Sequence, residues 1–300
     1  MRVMICLAAF FGLGLSIGVR AADTFGPASV LPEAKSFQVG KLKLTVLHDA
    51  QFVVPNDAKT FGVDVTPAAM SDVLRAAGAP TDRITLSVNV LLVHDGRRVV
   101  LIDTGVGPKA HGTLMASLAE AKVSPKAVTD ILITHTHGDH TGGLLDENSH
   151  LAFPKATIRM ASAEWAWMQK TGPQEFVKAI SGHVRTFEPG AQVAPGVTAV
   201  ALDGHTPGHV GYEIVSGDSH LLDVGDMVHS SIVSLAKPQW TLQFDSDSPA
   251  AKTTRHDTLA RLANDQQLVY APHFPFPGIG HVVANGDGFV WKAGLPKSDK

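Results

Sequence analysis

Apolar and polar positions alternate from Phe37 to Leu47, and Gly40-Lys41 interrupts the alternation, which predicts a β-hairpin. Leu86 to Val93 reads as a strand, Asp95-Gly96 as a tight turn and Arg98 to Ile102 as the returning strand. Between these signals Thr66-Pro67 opens a helix that Gly78 closes. A second helix is predicted over Ala110 to Ala121, and Ser124-Pro125 starts a shorter one. Asp130 to Thr134 is too apolar for an exposed edge and reads as a buried strand, followed by a polar, Gly-rich loop over 135–143. Further strands are predicted near 157–160, 198–202, 210–215 and 220–224, with a short one at Leu268 to Tyr270. Ser248-Pro249 provides a cap and first turn for a helix to about Ala263. Strands mixed with helices at intervals, without a linker, predict one α/β domain over 37–300 whose sheets are covered on both faces. Residues 22–36 read as a loose lead-in.

The first residues follow a different rule. Arg2 precedes an uncharged, mostly apolar run from Val3 to Val19, and Val19-Arg20-Ala21 offers small residues for cleavage. Residues 1–21 therefore read as a secretory signal peptide, with a short membrane anchor as the rival reading. Cleavage predicts a periplasmic or secreted protein with no stable membrane anchor. It also removes Cys6, the only cysteine, so neither a disulfide nor a thiol nucleophile is expected in the mature chain. The mature chain would keep 23 basic and 28 acidic residues, a net charge of −5. That balance gives no basic field for a nucleic acid partner. Hydrophobic residues make up 44% of the 300 and charged residues 18%, an ordinary globular mixture. Histidine stands out, with 15 copies against 2 Tyr and 4 Trp.

The histidines cluster where the predicted strands end. Ile131-Leu132-Ile133 runs into Thr134-His135-Thr136-His137-Gly138-Asp139-His140, which packs four metal-capable side chains into six residues. One loop cannot easily aim all four at a single ion, so two neighbouring ions are the better geometric reading. An exposed polar loop is the bland alternative. It does not account for two later His-bearing segments, Gly204-His205-Thr206-Pro207-Gly208-His209 and Ala271-Pro272-His273-Phe274, or for Leu221 to Asp226, an apolar strand ending in an aspartate. Each sets His or Asp just after an apolar stretch, where α/β sheets collect functional groups.

Together with the strand-turn Leu101-Ile102-Asp103-Thr104-Gly105, these segments make the sequence resemble the metallo-β-lactamase-fold hydrolases in order and spacing, from about residue 40 to 281. The resemblance implies an αββα sandwich with two mixed sheets, helices on the outer faces and a dinuclear site at one edge. It implies two divalent metal ions, zinc first among them. His135, His137 and His205 would hold one ion, Asp139, His140 and His273 the other, and Asp226 would bridge them. Asp103 and His209 are expected to support the ligands rather than bind metal. Two ions sharing an oxygen ligand make a hydroxide available near neutral pH for attack on carbon or phosphorus, with Asp139 as proton shuttle.

Three further segments resemble exported methyl parathion hydrolase and dihydrocoumarin hydrolase-like enzymes, and more distantly N-acyl-homoserine lactonases. They are Gly225 to His229, Gln243 to Asp247 and His273 to His281. The resemblance implies a hydrolase of lactones or aryl esters, with organophosphate triesters as a side activity. Trp240, Phe244, Phe274 and Phe276 are candidate pocket walls for a small-molecule substrate. His229 stands where such lactonases often place a tyrosine that binds the substrate oxygen, and an imidazole could donate that hydrogen bond. Residues 51–61 are expected to fold over the pocket, and dimers occur among the resembled enzymes. A β-lactamase of the same fold is the main alternative, although its resembled subclass lacks an aspartate at the position of Asp226. A glyoxalase II would need a helical domain beyond His273, where 27 residues remain. A mononuclear iron member would not need both His140 and His273. A non-catalytic binder would have no use for the complete ligand set.

Overall fold

The computed structural model describes residues 27–296, so the expected signal peptide, Cys6 and residues 22–26 lie outside the described residues. The strands are β1 (Pro27–Ser29), β2 (Ala34–Val39), β3 (Leu42–Pro55), β4 (Arg83–His94), β5 (Val99–Ile102), β6 (Asp130–Leu132), β7 (Thr157–Ala161) and β8 (Val184–Phe187), then β9 (Gln192–Ala194), β10 (Val197–Ala201), β11 (Val210–Ser216), β12 (Ser219–Asp223), β13 (Leu268–Tyr270), β14 (Ile279–Asn285) and β15 (Gly288–Ala293). The helices are α1 (Pro67–Ala76), α2 (Leu114–Glu120), α3 (Gly138–Thr141), α4 (Ser162–Thr171), α5 (Gln174–Ile180), α6 (Val233–Ala236) and α7 (Ser248–Asp265). One sheet runs β1-β3-β4-β5-β6-β7-β8, with β2 also on β3, and the other runs β15-β14-β13-β12-β11-β10-β9. Both are mixed: β5 to β8 are parallel, as are β12 and β13.

Three apolar layers hold this sandwich together. Leu44, Val46, Leu91, Val93 and Ile102 of the first sheet meet Val197, Val210, Tyr212, Ile214 and Leu221 of the second. Outside the first sheet, Leu101, Ile131 and Ile158 pack with Leu118 of α2, Met168 of α4 and Ile180 of α5. Outside the second, Leu222 and Val269 pack with Leu235 of α6 and with Leu259 and Leu262 of α7. Successive strand residues therefore face different layers, which is why β4, β5 and β6 read as continuous apolar runs rather than alternating ones. Among the described residues no helix is long and apolar enough to cross a membrane.

The structure departs from the sequence expectations in several places. Residues 27–36 are not a loose lead-in. At 14 residues, β3 is long enough to take β2 along Leu42 to Leu47 and β1 along Ala50 to Phe52, on either side of a register shift at His48/Ala50. The helix expected from Ala110 begins at Leu114, because His111 is in the left-handed region (φ 62°) and ends a single tight turn. Asp247, not Ser248, caps α7, its side chain accepting from Ala250 N at 3.1 Å. The sequence carries no clear signal for the helices α4 and α5 or for the β14–β15 hairpin. No apolar stripe marks α4, and glycines punctuate the hairpin.

Candidate metal centre

The ends of five strands deliver the site. Asp103 follows β5, His135 to His140 follow β6, His205 follows β10, Asp226 follows β12 and His273 follows β13. His135 Nε2 and His205 Nε2 lie 3.0 and 3.1 Å from His137 Nδ1. Asp226 Oδ2 faces this trio, 3.3 Å from His205 Nε2 and 3.6 Å from His135 Nε2. Its other oxygen faces a second group, with Oδ1 3.2 Å from His140 Nε2 and 3.1 Å from His273 Nε2. Asp139 Oδ2 completes that group at 3.7 and 3.5 Å from the same two nitrogens. The seven expected ligands thus gather into two clusters with Asp226 facing both, and Asp226, His229 and His273 form a third set close enough to hold an ion.

The neighbours of the imidazoles fix which nitrogen carries the proton. Nδ1–H of His140 donates to Asp103 Oδ2 (2.7 Å), that of His205 to Asp245 Oδ1 (3.0 Å) and that of His273 to Ser87 O (2.8 Å). Each Nε2 is left to turn a lone pair inward, as a metal ligand requires. The 3.0–3.1 Å between these nitrogens is close to the edge of a tetrahedral zinc–nitrogen site, roughly 3.3 Å. His140 Nε2 and Asp226 Oδ1 are moreover buried without a hydrogen-bond partner, a costly condition that a divalent ion would relieve. The residues fit divalent metal.

The supporting residues lie directly behind the ligands. Asp103 holds a left-handed backbone (φ 62°) and accepts from Thr134 N at 2.9 Å and from Thr134 Oγ1 at 2.8 Å, besides His140. His209 lies outside both ligand clusters: Nδ1–H donates to Leu202 O (2.8 Å) and Nε2 accepts from Asp226 N (2.9 Å). It therefore holds the backbone of Asp226. Sequence reasoning missed Glu164. This buried carboxylate of α4 accepts from Thr136 N and Oγ1 on one oxygen, and from Thr206 Oγ1 and Gly208 N on the other, at 2.7–2.9 Å. It ties the 135–140 loop to the 204–209 loop. A Cβ at Gly208 would run into the Glu164 backbone, so glycine permits this approach. Also from α4, Trp167 sits edge-on to His137 at 5.9 Å.

Charge and burial pull the imidazoles in opposite directions. Burial drives His135 well down and brings His137 to about 4. Burial would lower His205 too, but the carboxylates of Asp226 and Asp245 outweigh it and hold this imidazole at about 9. His140 is likewise raised against burial by Asp226 and Asp103. The metal-free protein therefore carries a proton on His205 at pH 7, and a metal ion must displace it. Zinc affinity should therefore rise with pH from neutrality toward about 9, as His205 gives up its proton. Calorimetry at pH 7 in two buffers of different ionisation enthalpy should show proton release. Identical heats in both would contradict it.

Beside the metal cluster lies a cavity of about 270 Å³, lined by Phe52, Leu86, His137, Gly138, Asp139, Asp226, His229, Phe244 and His273. Of the four expected aromatic walls only Phe244 is there. Phe274 is buried in the outer core, edge-on to Trp291 at 4.9 Å. Phe276 stacks on His48 at 5.1 Å, and Trp240 packs with Phe61 and Met70. Each of these three rings follows its own segment into the nearest apolar layer. Phe52, which does line the cavity, falls in the 51–61 stretch expected over the pocket, whereas Leu86 sits in β4 with no local mark of function. Phe61 also reaches the site, edge-on to His229 at 6.3 Å. His229 is buried, with Nε2 2.9 Å from Asp226 Oδ2 and no partner on Nδ1. Burial lowers it to about 4, so the ring is neutral at pH 7.

Two mixed sheets between helices, with a double His/Asp cluster at one edge, define a metal-dependent α/β enzyme of the αββα type. The chain belongs to the metallo-beta-lactamase superfamily, whose profile matches residues 83–273. Among solved structures it is similar to AidC, a dizinc quorum-quenching lactonase solved with a product (TM-score 0.81, 27% identity, 90% of this chain and 99% of that one). It is also similar to hydrolase AbOPH of the beta lactamase superfamily (TM-score 0.80, 26% identity, 91% and 100%). The hydroxyacylglutathione hydrolase of Yersinia pestis is 30% identical over 123 residues, and the match spans 41% of this chain and 41% of that protein's length. The protein is a metal-dependent hydrolase of this superfamily.

Proposed function

We propose that the protein is an exported dinuclear hydrolase of small uncharged lactones and aryl esters, with aryl phosphotriesters as a side activity. One observation carries the substrate class. The cavity joins a wall of Phe52, Leu86 and Phe244 to the metal cluster, and no Lys or Arg is among the residues lining it. A β-lactam carries a carboxylate, as does glutathione, and beyond the metal ions no Lys or Arg among the lining residues would pair with it. A volume of about 270 Å³ also lies below the common range for drug-sized ligands and suits a small substrate of one or two rings. The similarity to a dizinc lactonase over 90% of the chain supports the same reading.

His135, His137 and His205 would hold one ion, Asp139, His140 and His273 the other, with one oxygen of Asp226 toward each. When bound, the ions supply Lewis acidity toward the substrate oxygen and a water acidic enough to react near neutral pH. Asp139 is the partly exposed carboxylate of the set and faces the cavity, which suits it to carry a proton to the leaving alkoxide. The neutral imidazole of His229 lies at the junction of cluster and apolar wall. Its single N–H faces Asp226 Oδ2 at 2.9 Å; with a metal ion on that oxygen the N–H would be released to donate to the substrate oxygen as charge develops. Phe52, Leu86 and Phe244 exclude water from one side of the bound ring.

The test is metal content together with initial rates on dihydrocoumarin, a homoserine lactone, p-nitrophenyl acetate, methyl paraoxon and nitrocefin. Two metal ions per chain, with turnover of the uncharged lactones or ester that chelation abolishes, is the expected result. Nitrocefin turnover at a competitive rate would overturn it. His229→Leu should lower lactone kcat/KM by roughly 10²-fold and leave metal content unchanged. Unchanged kinetics would remove His229 from the reaction.

A further inference from the structure

Arg255, on α7, is buried at 3% exposure, unusual for a guanidinium. Its Nε donates to Met227 O (2.8 Å), next in sequence to Asp226. Nη1 donates to Pro238 O (3.1 Å) and reaches Trp240 O at 3.5 Å. Nη2 donates to Asp245 Oδ2 (2.8 Å), while Asp245 Oδ1 accepts the Nδ1–H of His205. The neighbour of Asp245 is Phe244, a wall of the cavity. One side chain thus touches three things at once: the backbone after the shared carboxylate, the segment that carries the apolar wall, and the carboxylate that orients a ligand imidazole.

We propose that Arg255 is a positioning residue that locks His205, the Asp226 loop and the Phe244 wall into one unit, so that metal affinity and substrate fit are set together. The proposal rests on the assignment of His205 as a ligand. A buried ion pair returns little net stability over an apolar pair of equal size, because both ions lose their water. What the pair returns here is direction. The planar guanidinium has five N–H donors in a fixed fork, and here its donors run to separate chain segments. A lysine in its place has one nitrogen and cannot reach all of them. The carboxylate behind His205 also raises the basicity of the imidazole toward metal.

The experiment compares wild type, R255K, D245N and the apolar double variant D245L/R255M. The double variant fills the same space and leaves no unpaired buried charge, so it folds where R255M alone could fail. Zinc affinity is measured by chelator competition on folded, metal-free protein, and KM for a lactone at saturating zinc. R255K and the double variant should each lose about 10–100-fold in zinc affinity and raise KM severalfold. D245N removes the charge and turns an amide NH₂ toward either His205 or Arg255, so it should lose zinc affinity and, through Arg255, raise KM as well. If the folded double variant binds zinc within twofold of wild type, or loses affinity with no change in KM, Arg255 is mere packing and the proposal fails. If H205A binds zinc as wild type does, the ligand assignment itself falls and takes the proposal with it.

Discussion

Asp226→Ala should remove at least about three orders of magnitude from kcat/KM and leave one metal ion or fewer per chain, because several kcal/mol of catalysis rests on the pair of ions and each 1.4 kcal/mol is tenfold. Asp226 turns one oxygen toward each cluster. Its Oδ1 lies 3.1–3.2 Å from His140 and His273, and its Oδ2 lies 3.3 Å from His205. Although burial would raise it, the surrounding imidazoles hold its carboxyl well below the usual range, so it is an anion wherever the enzyme works. Without it, two ions a few ångströms apart lose the charge that screens them from each other. Asp226→Asn keeps the shape and discards the charge, so it should fall between wild type and alanine in metal content. Emission spectroscopy on purified protein, beside lactone kinetics, decides the matter. Two ions retained with a rate within tenfold of wild type would exclude a shared role for Asp226.

The legible part of this site was the contiguous part. His135, His137, Asp139 and His140 occupy one turn of chain at a strand end, so residue type and spacing sufficed. His205, Asp226 and His273 each followed an apolar strand that announced itself. The supports were legible only where they shared such a strand end, as Asp103 and His209 do. Glu164 belongs to a helix whose polar and apolar residues form no stripe, and in the sequence it is one acid among 28 acidic residues. Its role exists only once two loops about seventy residues apart lie on either side of it. The cavity wall was least legible. Phe52 and Leu86 are cross-strand partners in β3 and β4, and nothing local separates a ring that faces the cavity from one that faces a core. The second sheet's outer hairpin was hidden for another reason, since glycines that bound β14 and β15 also mimic loop sequence.

Glu164→Ala should be the most damaging change outside the ligands, destabilising the fold by about 3–5 kcal/mol. The carboxylate satisfies two backbone N–H groups, Thr136 and Gly208, and two hydroxyls, Thr136 and Thr206, all within 2.9 Å. Alanine leaves the buried N–H of Gly208 and the half-buried one of Thr136 without an acceptor, at about 1–3 kcal/mol each, and a water drawn into the polar gap offsets only part of that. Glutamine is not a safe replacement. Each carboxylate oxygen takes one backbone N–H, so whichever way the amide turns, its NH₂ must face a donor. Glu164→Gln should therefore cost about 1–3 kcal/mol rather than nothing. Both variants should also lose zinc affinity, by about 10–100-fold, because Thr136 lies between His135 and His137 and Thr206 follows His205. Urea unfolding midpoints of the metal-free proteins separate the fold effect from the metal effect. A Glu164→Ala variant within about 1 kcal/mol of wild type would mean that the two loops hold their places without it, and that the strand ends alone preorganise the ligands.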